Sequence, residues 1–226
     1  MNPEPFDLPF GHYLLKGDSY RMGGNCIVLH GAGQSSRERF TRLRKWLQSQ
    51  GLSSSSFDFI GHGGTGGDIL DTTLHNRTEQ AAAVVRHACS EPLTLIAASM
   101  AGYTAIKLTE IFSVNNLVLL VPAVYTPRAY DIFFGTEFSA AIRAPGSWKD
   151  SDAFPIMSQF KGNLLIVAAE IDEVIPEAVI QGIYTAADSA RSREIHVVPN
   201  SRHDCLFPTE LDFHVAMAKI RDLCLV

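Results

Sequence analysis

The stretch "LTLIAASMAGYTAIKL", residues 93–108, changes character at Ser99. Before this residue, "LTLIAA" is a nearly continuous apolar run, which is typical of a strand covered on both faces. From Met100 onward, the apolar residues recur at helical spacing. We therefore predict a buried strand that turns directly into a helix, with a serine at the corner. A serine in that position is either a catalytic nucleophile or a helix N-cap, for which serine is a favoured residue.

Short apolar runs like this one recur along the chain. Five others are "CIVLH" (26–30), "FDFI" (57–60), "LVLLV" (117–121), "LLIVAA" (164–169) and "IHVV" (195–198). Helical patterns between and after them cover residues 35–50, 78–88, 100–112, 176–187 and 209–223. This alternation predicts an α/β fold with a mainly parallel sheet flanked by helices. The first twenty residues are expected to add an antiparallel strand or two at one edge.

The helical patterns also predict which residues face the core. Ser35 and Glu38 have the spacing of a capping box at the start of the first helix. Ile111 is expected to face inward near the end of the third helix. In the last helix, the inward face is expected to carry Leu211, Val215 and Ala218.

Length and composition indicate one soluble globular domain over residues 1–226. The net charge of −5 and the lack of a basic stripe disfavour a nucleic-acid partner. No apolar run approaches the roughly 18 residues of a membrane span, and the amino terminus does not resemble a signal peptide. The four cysteines are scattered without metal-binding spacing, so we predict a cytoplasmic protein without a metal site. Residues 126–163 are irregular and aromatic, and we predict a small cap insertion there.

Three reactive residues follow three of the predicted strands. Ser99 ends the run at 93–98, Asp172 lies in "AAEIDEVIP", and His203 lies in "VVPNSRHDCLF". Sites in open α/β sheets form at the carboxyl ends of the strands, so one arrangement of strands would bring all three together. The order serine, aspartate, histidine is that of the α/β-hydrolase triad.

Nearly the whole chain resembles an α/β-hydrolase of the serine esterase and lipase type. Four landmarks occur in the family order: "HGAG" (30–33), "DFIGHGGTG" (58–66), "SMAG" (99–102), and the late Asp172 and His203. The sequence departs from the family's G-x-S-x-G elbow, because Ala97 and Ala101 replace the two glycines. Alanine is the next smallest residue, and the strained backbone angle belongs to the serine, so we expect the elbow to form.

The resemblance implies a catalytic role for each of these residues. Ser99 would be the nucleophile, His203 the base and Asp172 the residue that orients the base. The backbone N–H groups of Ala32 and Met100 would form the oxyanion hole. No cofactor is implied, and the expected partner is a small ester or acyl substrate. In the predicted cap, Phe133, Phe134 and Trp148 either complete a small core or line an acyl pocket.

Neighbouring residues offer alternatives to these assignments. Glu170 and Glu173 flank Asp172, and either one has the chemistry to orient the histidine. His30 and His62 lie in glycine-rich loops, where we expect hydrogen bonds to the backbone instead of a catalytic role. The best interpretation of the sequence is a carboxylesterase acting on small esters through an acyl-enzyme. Thioesterases, peptidases and C–C hydrolases use the same triad, and a non-catalytic binding protein with this fold is a further alternative.

Overall fold

The computed structural model describes residues 2–21 and 23–224. The described chain forms one sheet of eight strands. They are β1 (Glu4–Phe10), β2 (Tyr13–Ser19), β3 (Gly24–Leu29), β4 (Ser55–Phe57), β5 (Cys89–Ala98), β6 (Val114–Leu120), β7 (Asn163–Ile171) and β8 (Ser192–Arg202). The order across the sheet is β1-β2-β4-β3-β5-β6-β7-β8. Strands β3 to β8 run parallel, while β1 and β2 are antiparallel to their neighbours, as the sequence predicts for the first twenty residues.

Seven α-helices in the described chain flank this sheet. They are α1 (Thr41–Ser49), α2 (Leu74–Ala88), α3 (Met100–Leu108), α4 (Thr136–Arg143), α5 (Ala153–Gln159), α6 (Glu177–Ala186) and α7 (Glu210–Cys224). Short 3₁₀ helices cover Arg37–Phe40, Ile69–Asp71 and Pro127–Ala129. The prediction of a mainly parallel sheet flanked by helices is confirmed. Every helix in the described residues is too short or too polar to span a lipid bilayer.

Two hydrophobic cores lie on the two faces of the sheet. Successive strand residues alternate between them, so Leu95 packs into the first core and Ile96 into the second. Helices α2, α3, α5 and α6 cover the first face, and α1 and α7 cover the second. Because both faces are covered, the buried parts of the central strands are mostly apolar, which explains the nearly continuous apolar runs in the sequence.

The segment 126–163 packs on the first face of the sheet. Phe134 and Phe138 are buried there with their rings 4.6 Å apart, and Met157 of α5 is fully buried in the same core. The segment is also tied to α2 and the turn before it, since His75 N donates to Tyr130 O and Phe134 N donates to Thr72 O. Most of its aromatic residues therefore contribute to the first core, while Phe133 is exposed.

The predicted inward face of the last helix is wrong. Leu211 is 71% exposed and Val215 is 38% exposed. The buried face instead carries Phe213, Ala216, Met217 and Ile220. Both sets have helical spacing, but the second contains larger apolar side chains and therefore removes more apolar surface from water.

Other local predictions also need correction. Ser36, not Ser35, caps the first helical segment by accepting from Glu38 N, and a 3₁₀ turn comes before α1. Helix α3 ends at Leu108, where turns begin, so Ile111 lies outside the helix and is 47% exposed. Strand β4 begins two residues earlier than the apolar run, because buried serines can pair there: Ser56 Oγ donates to Val28 O at 2.7 Å.

Candidate active site

Ser99 lies at a strained corner between β5 and α3. Its backbone angles are φ 52° and ψ −121°, a region that residues with a side chain rarely adopt. Three backbone hydrogen bonds hold the corner: Ser99 N donates to Leu120 O at 2.9 Å, and Ser99 O accepts from Gly102 N at 2.8 Å and from Ala123 N at 3.0 Å. Although Ser99 is the N-cap residue, its hydroxyl makes no capping hydrogen bond to α3. The hydroxyl is therefore free to take another partner.

That partner is His203. The Ser99 Oγ lies 3.0 Å from His203 Nε2, and His203 Nδ1 lies 3.0 Å from Asp172 Oδ2. The structure thus brings together three residues that are far apart in the sequence, because β5, β7 and β8 end at the same edge of the sheet. A histidine held on one side by a carboxylate can accept a proton on the other side.

Asp172 is the carboxylate that the structure places against the histidine. Its second oxygen, Oδ1, accepts from Val174 N and Ile175 N, both at 2.9 Å, which fixes the direction of the carboxylate. Glu170 instead accepts from Asn200 N at 2.6 Å. Glu173 is exposed. Of the three acidic residues considered from the sequence, only Asp172 contacts His203.

Small residues surround the corner. Ala97 and Ala101, which replace the family glycines, are fully buried in the first core. The closest approach is instead at Gly102, where a Cβ would lie 2.7 Å from Pro122 Cβ. Gly31 is also close, because a Cβ there would lie 3.1 Å from Ser99 Cβ. The packing of the corner therefore depends more on Gly102 and Gly31 than on positions 97 and 101.

The residues predicted for the oxyanion hole adjoin Ser99. Met100 is the first residue of α3, so its N–H has no acceptor within the helix. On the other side, Gly31 O accepts from Arg77 Nη2 at 3.3 Å and from His30 Nδ1 at 2.7 Å. In a trans peptide the C=O and the following N–H point in opposite directions. Since Gly31 O faces Arg77, Ala32 N–H points away from Arg77, and Ala32 lines the cavity at Ser99.

His30 is buried and has a defined tautomer. Its Nε2 accepts from Phe59 N at 3.1 Å, so Nδ1 carries the proton that is donated to Gly31 O. Burial, together with the charge of nearby Arg77, lowers the pKa of His30 well below 6.5. His62 contacts Ile60 O in the neighbouring loop, at 3.3 Å from Nδ1. Both histidines bond to the backbone, as expected from the sequence.

Arg77 is the residue in this region that the sequence does not single out. Its side chain is fully buried, Nη2 donates to His30 O and Gly31 O, and the guanidinium lies 3.8 Å from the centre of the Phe59 ring. Its Nε and Nη1 have no hydrogen-bond acceptor among the described residues. Burial lowers the pKa of Arg77 to about 9, so the group is charged at neutral pH. Helix α2 carries two arginines, Arg77 and Arg86, and nothing in the sequence shows that Arg77 is the buried one.

A cavity of about 400 Å³ contacts Ser99 and His203. This volume lies within the range of about 300–1,000 Å³ typical of small-molecule sites. Apolar side chains of the second core form much of its wall, including Phe40, Leu43 and Phe213. Arg39, Arg42 and Asp204 also line it. The cavity therefore extends from Ser99 toward α1 and α7.

The three aromatic residues predicted to bind substrate lie elsewhere. Phe133 is 60% exposed, Phe134 is buried against Phe138, and the Trp148 ring lies 6.3 Å from that of Phe154. None of the three lines the cavity that contacts Ser99. The segment that contains them packs on the first face of the sheet, while the cavity extends over the second. A role for them in substrate binding stays a prediction.

In the described residues, no group of three His, Cys, Asp or Glu side chains is arranged to hold a metal ion. All four cysteines are free.

Comparison with known families identifies the chain. Residues 21–145, more than half of the sequence, match the family described as Serine aminopeptidase, S33. The chain belongs to this S33 family. The resemblance to α/β-hydrolases drawn from the sequence is thereby confirmed, and the protein belongs to a family of hydrolases. The matched region contains Ser99 and the 30–33 loop but ends before Asp172 and His203, so their assignment depends on the geometry described above.

Solved structures similar to this S33 protein include several hydrolases. Est1E from Butyrivibrio proteoclasticus, solved with ferulic acid bound, has a TM-score of 0.75 at 16% identity, covering 97% of this chain and 98% of that one. A thioesterase domain from the curacin biosynthetic pathway has a TM-score of 0.72 at 13% identity and full coverage of both chains. The monoacylglycerol lipase of Paleococcus ferrophilus has a TM-score of 0.71 at 17% identity, covering 92% and 98%. These likenesses show the fold. No curated protein sequence matches the chain significantly.

Proposed function

We propose that the protein is a serine hydrolase that cleaves small carboxylic esters through an acyl-enzyme. The observation that carries this proposal is the pair of 3.0 Å contacts from Ser99 through His203 to Asp172 at one cavity. A serine hydroxyl is a weak nucleophile until a base takes its proton, and this arrangement supplies the base and the carboxylate that orients it.

In each step, His203 accepts the proton and backbone N–H groups stabilise the developing negative charge. As Ser99 Oγ attacks the ester carbonyl, His203 Nε2 takes its proton and the carbonyl oxygen becomes an oxyanion. The N–H groups of Met100 and Ala32 stabilise that oxyanion. When the C–O bond to the alcohol breaks, His203 returns the proton to the leaving oxygen. Water then attacks the acyl-Ser99 ester in the same way and releases the acid.

The charges around the cavity favour an ester over an aminopeptidase substrate. An aminopeptidase binds a free α-ammonium group, which calls for an unpaired carboxylate near the nucleophile. Asp204 is the single acidic residue among the described residues that line this cavity, and its carboxylate is paired with Arg202 at 3.4 Å. The other charged residues of the wall are Arg42, which pairs with Glu210, and Arg39, whose unpaired charge would repel an ammonium group.

The test is a substrate panel with matched variants. The purified protein is assayed with the p-nitrophenyl ester of butyrate, the corresponding thioester, and an amino-acid p-nitroanilide. We expect the ester to have the highest kcat/KM, and we expect Ser99→Ala to lower it by at least about 10³-fold. Activity on the ester that survives in Ser99→Ala would refute the proposed nucleophile. A higher kcat/KM for the thioester or the anilide would instead favour a thioesterase or a peptidase on the same triad.

A further inference from the structure

Among the charged side chains that line the cavity at Ser99, one, the exposed Arg39, has no charged partner. Arg39 lies in the 3₁₀ turn before α1, and its Nη2 donates to Asp204 O at 2.8 Å. Among the described residues, no carboxylate lies within ion-pair distance of Arg39. The two other ionic side chains of the wall are neutralised: Arg42 pairs with Glu210 at 2.5 Å, and Asp204 pairs with Arg202 at 3.4 Å. The unbalanced charge of this wall is therefore that of Arg39.

A guanidinium in this position can bind an anionic group on a substrate. It has five N–H donors in a planar fork that matches a carboxylate, and Arg39 uses one of them on Asp204 O. The protein as a whole carries a net charge of −5, which repels anions at a distance. The positive charge of Arg39 at this cavity is therefore opposite in sign to the net charge of the protein. Apolar side chains such as Phe40 and Leu43 line the same cavity. A short carbon chain can therefore lie between an ester group at Ser99 and an anionic group at Arg39.

We propose that Arg39 binds a carboxylate of the substrate and that the preferred substrates are short esters carrying a carboxylate. The inference rests on the proposed function, since it concerns the substrate class of the same site. The carboxylate can belong to the acyl part, as in a half-ester of a short dicarboxylic acid, or to the leaving group, as in an ester of a carboxyphenol. Arg39 takes no part in bond making; it binds the anionic end while Ser99 and His203 carry out the reaction.

The experiment compares pairs of substrates that differ in one charge. On the acyl side, the pair is monoethyl glutarate and the ethyl ester of glutaramic acid, in which an uncharged amide replaces the carboxylate. On the leaving-group side, the pair is para-acetoxybenzoate and para-acetoxybenzamide. The ratio of kcat/KM within each pair is measured for the wild type and for Arg39→Met. We expect the wild type to favour the anionic member of at least one pair, and Arg39→Met to lower that ratio by about tenfold or more.

Two controls separate specific recognition from a general effect of charge. Lys45→Met removes one positive charge from the exposed side of α1, outside the cavity, and should leave both ratios unchanged. Arg39→Lys keeps the charge but loses the fork, so the ratio should fall between those of the wild type and Arg39→Met. Added salt should reduce the preference for the anionic member.

Arg39 also donates to Asp204 O, in the loop of His203. The alternative is that Arg39 only holds this loop in position. In that case Arg39→Met would lower kcat/KM equally for both members of each pair, and the unchanged ratio would overturn the inference. Ratios near one in the wild type would overturn it too. If neither member of either pair is hydrolysed although a fluorophosphonate labels Ser99, the inference fails while the proposed serine chemistry stands. If labelling is also absent, the proposed function fails with it.

Discussion

At the scale of single residues, the carboxylate of Asp172 determines which nitrogen of His203 carries the proton. Its Oδ2 faces His203 Nδ1, while its Oδ1 is held by two backbone N–H donors, Val174 N and Ile175 N. An ionised carboxylate can only accept hydrogen bonds, so Nδ1 of the histidine must be the donor. The free Nε2 can then accept the proton of Ser99.

Asp172→Asn should therefore stabilise the tautomer of His203 that carries its proton on Nε2. The amide oxygen would keep the bonds from Val174 N and Ile175 N, which turns the amide NH₂ toward His203. His203 would then have to accept at Nδ1 and carry its proton on Nε2, where it cannot take a proton from Ser99. We expect kcat to fall by about 10³–10⁴-fold. The neighbouring exposed carboxylate gives the control: Glu173→Gln should keep wild-type kcat, and a loss below tenfold in Asp172→Asn would contradict this role.

His30 should make stability depend on pH. Its Nε2 accepts from Phe59 N, so a second proton on the ring would break that bond inside the core. Because burial lowers the pKa of His30 well below 6.5, the unfolded chain takes up a proton below about pH 6.5 while the folded chain does not. The free energy of unfolding should thus decrease as the pH falls below 6.5, by about 1.4 kcal/mol per pH unit from this residue.

Urea unfolding between about pH 5 and pH 7 measures this slope. His30→Gln keeps a donor and an acceptor but does not titrate, so its slope should be smaller by the contribution of one proton. His62 has a pKa lowered by burial and adds to the slope of both proteins. Equal slopes in wild type and variant would show that His30 titrates alike in the folded and unfolded states.

At the scale of elements, the contact between α3 and the chain after β6 holds the corner in place. Gly102, in the first turn of α3, allows it, since a Cβ there would lie 2.7 Å from Cβ and 3.1 Å from Cα of Pro122. Val121, the residue before Pro122, has a φ of 43°, which is rare for a β-branched side chain. Two residues with rarely adopted backbone angles, Ser99 and Val121, thus directly follow the neighbouring strands β5 and β6.

Gly102→Ala should separate these two elements. Overpacking costs about 1–3 kcal/mol, and the better helix propensity of alanine returns about 1 kcal/mol, so we expect a net loss of about 1 kcal/mol in the free energy of unfolding. The kcat should fall as well, because the N–H of Met100, which we propose as a donor to the oxyanion, lies in the same turn of α3. Gly64→Ala is the control: its Cβ would lie 3.4 Å from Lys16 Cβ, an ordinary contact, so we expect a change within about 0.5 kcal/mol. Equal effects of the two changes would contradict the role of this contact.

At the scale of the whole molecule, a largely buried ionic network joins the antiparallel edge of the sheet to the parallel part. Arg37 pairs with Asp58 and, at 2.8 Å, with Asp18 on β2, and Arg44 of α1 pairs with Asp18 at 2.5 Å. Asp58 also accepts from Arg37 N at 2.7 Å and from Gly64 N at 2.8 Å. This network connects β2, the start of α1 and the loop after β4.

Asp58→Asn should destabilise the fold. The change leaves the guanidinium of Arg37 with one carboxylate in a largely buried setting, and breaking a buried pair costs about 3 kcal/mol. Asp7→Asn is the matched control, because Asp7 pairs with Lys16 on the exposed surface, where such pairs contribute less than about 1 kcal/mol. Urea unfolding compares the two variants. Similar losses in both would show that the network around Asp58 contributes no more than a surface pair.

The sequence predicts those features that local pattern and chain order determine. Continuous apolar runs predict the covered parallel strands, and the residues that follow them predict the meeting of Ser99, Asp172 and His203. Tertiary packing determines the rest. Two sets of α7 residues have helical spacing, and the set with Phe213 is the one that the structure buries against the sheet, while Leu211 is exposed. Arg77 and Arg39 belong to no sequence motif. Only the folded structure brings Arg77 to the carbonyls of the 30–31 loop and Arg39 to the cavity at Ser99.

The proposed function requires that His203 and Asp172 activate Ser99. The most direct measurement treats the folded protein with a fluorophosphonate and reads the intact mass, with Ser99→Ala treated in parallel and peptide mapping of the adduct. We expect a single adduct on wild-type protein, mapped to Ser99, and none on Ser99→Ala. An unmodified wild-type protein that is shown to be folded, or an adduct that maps elsewhere, would contradict it.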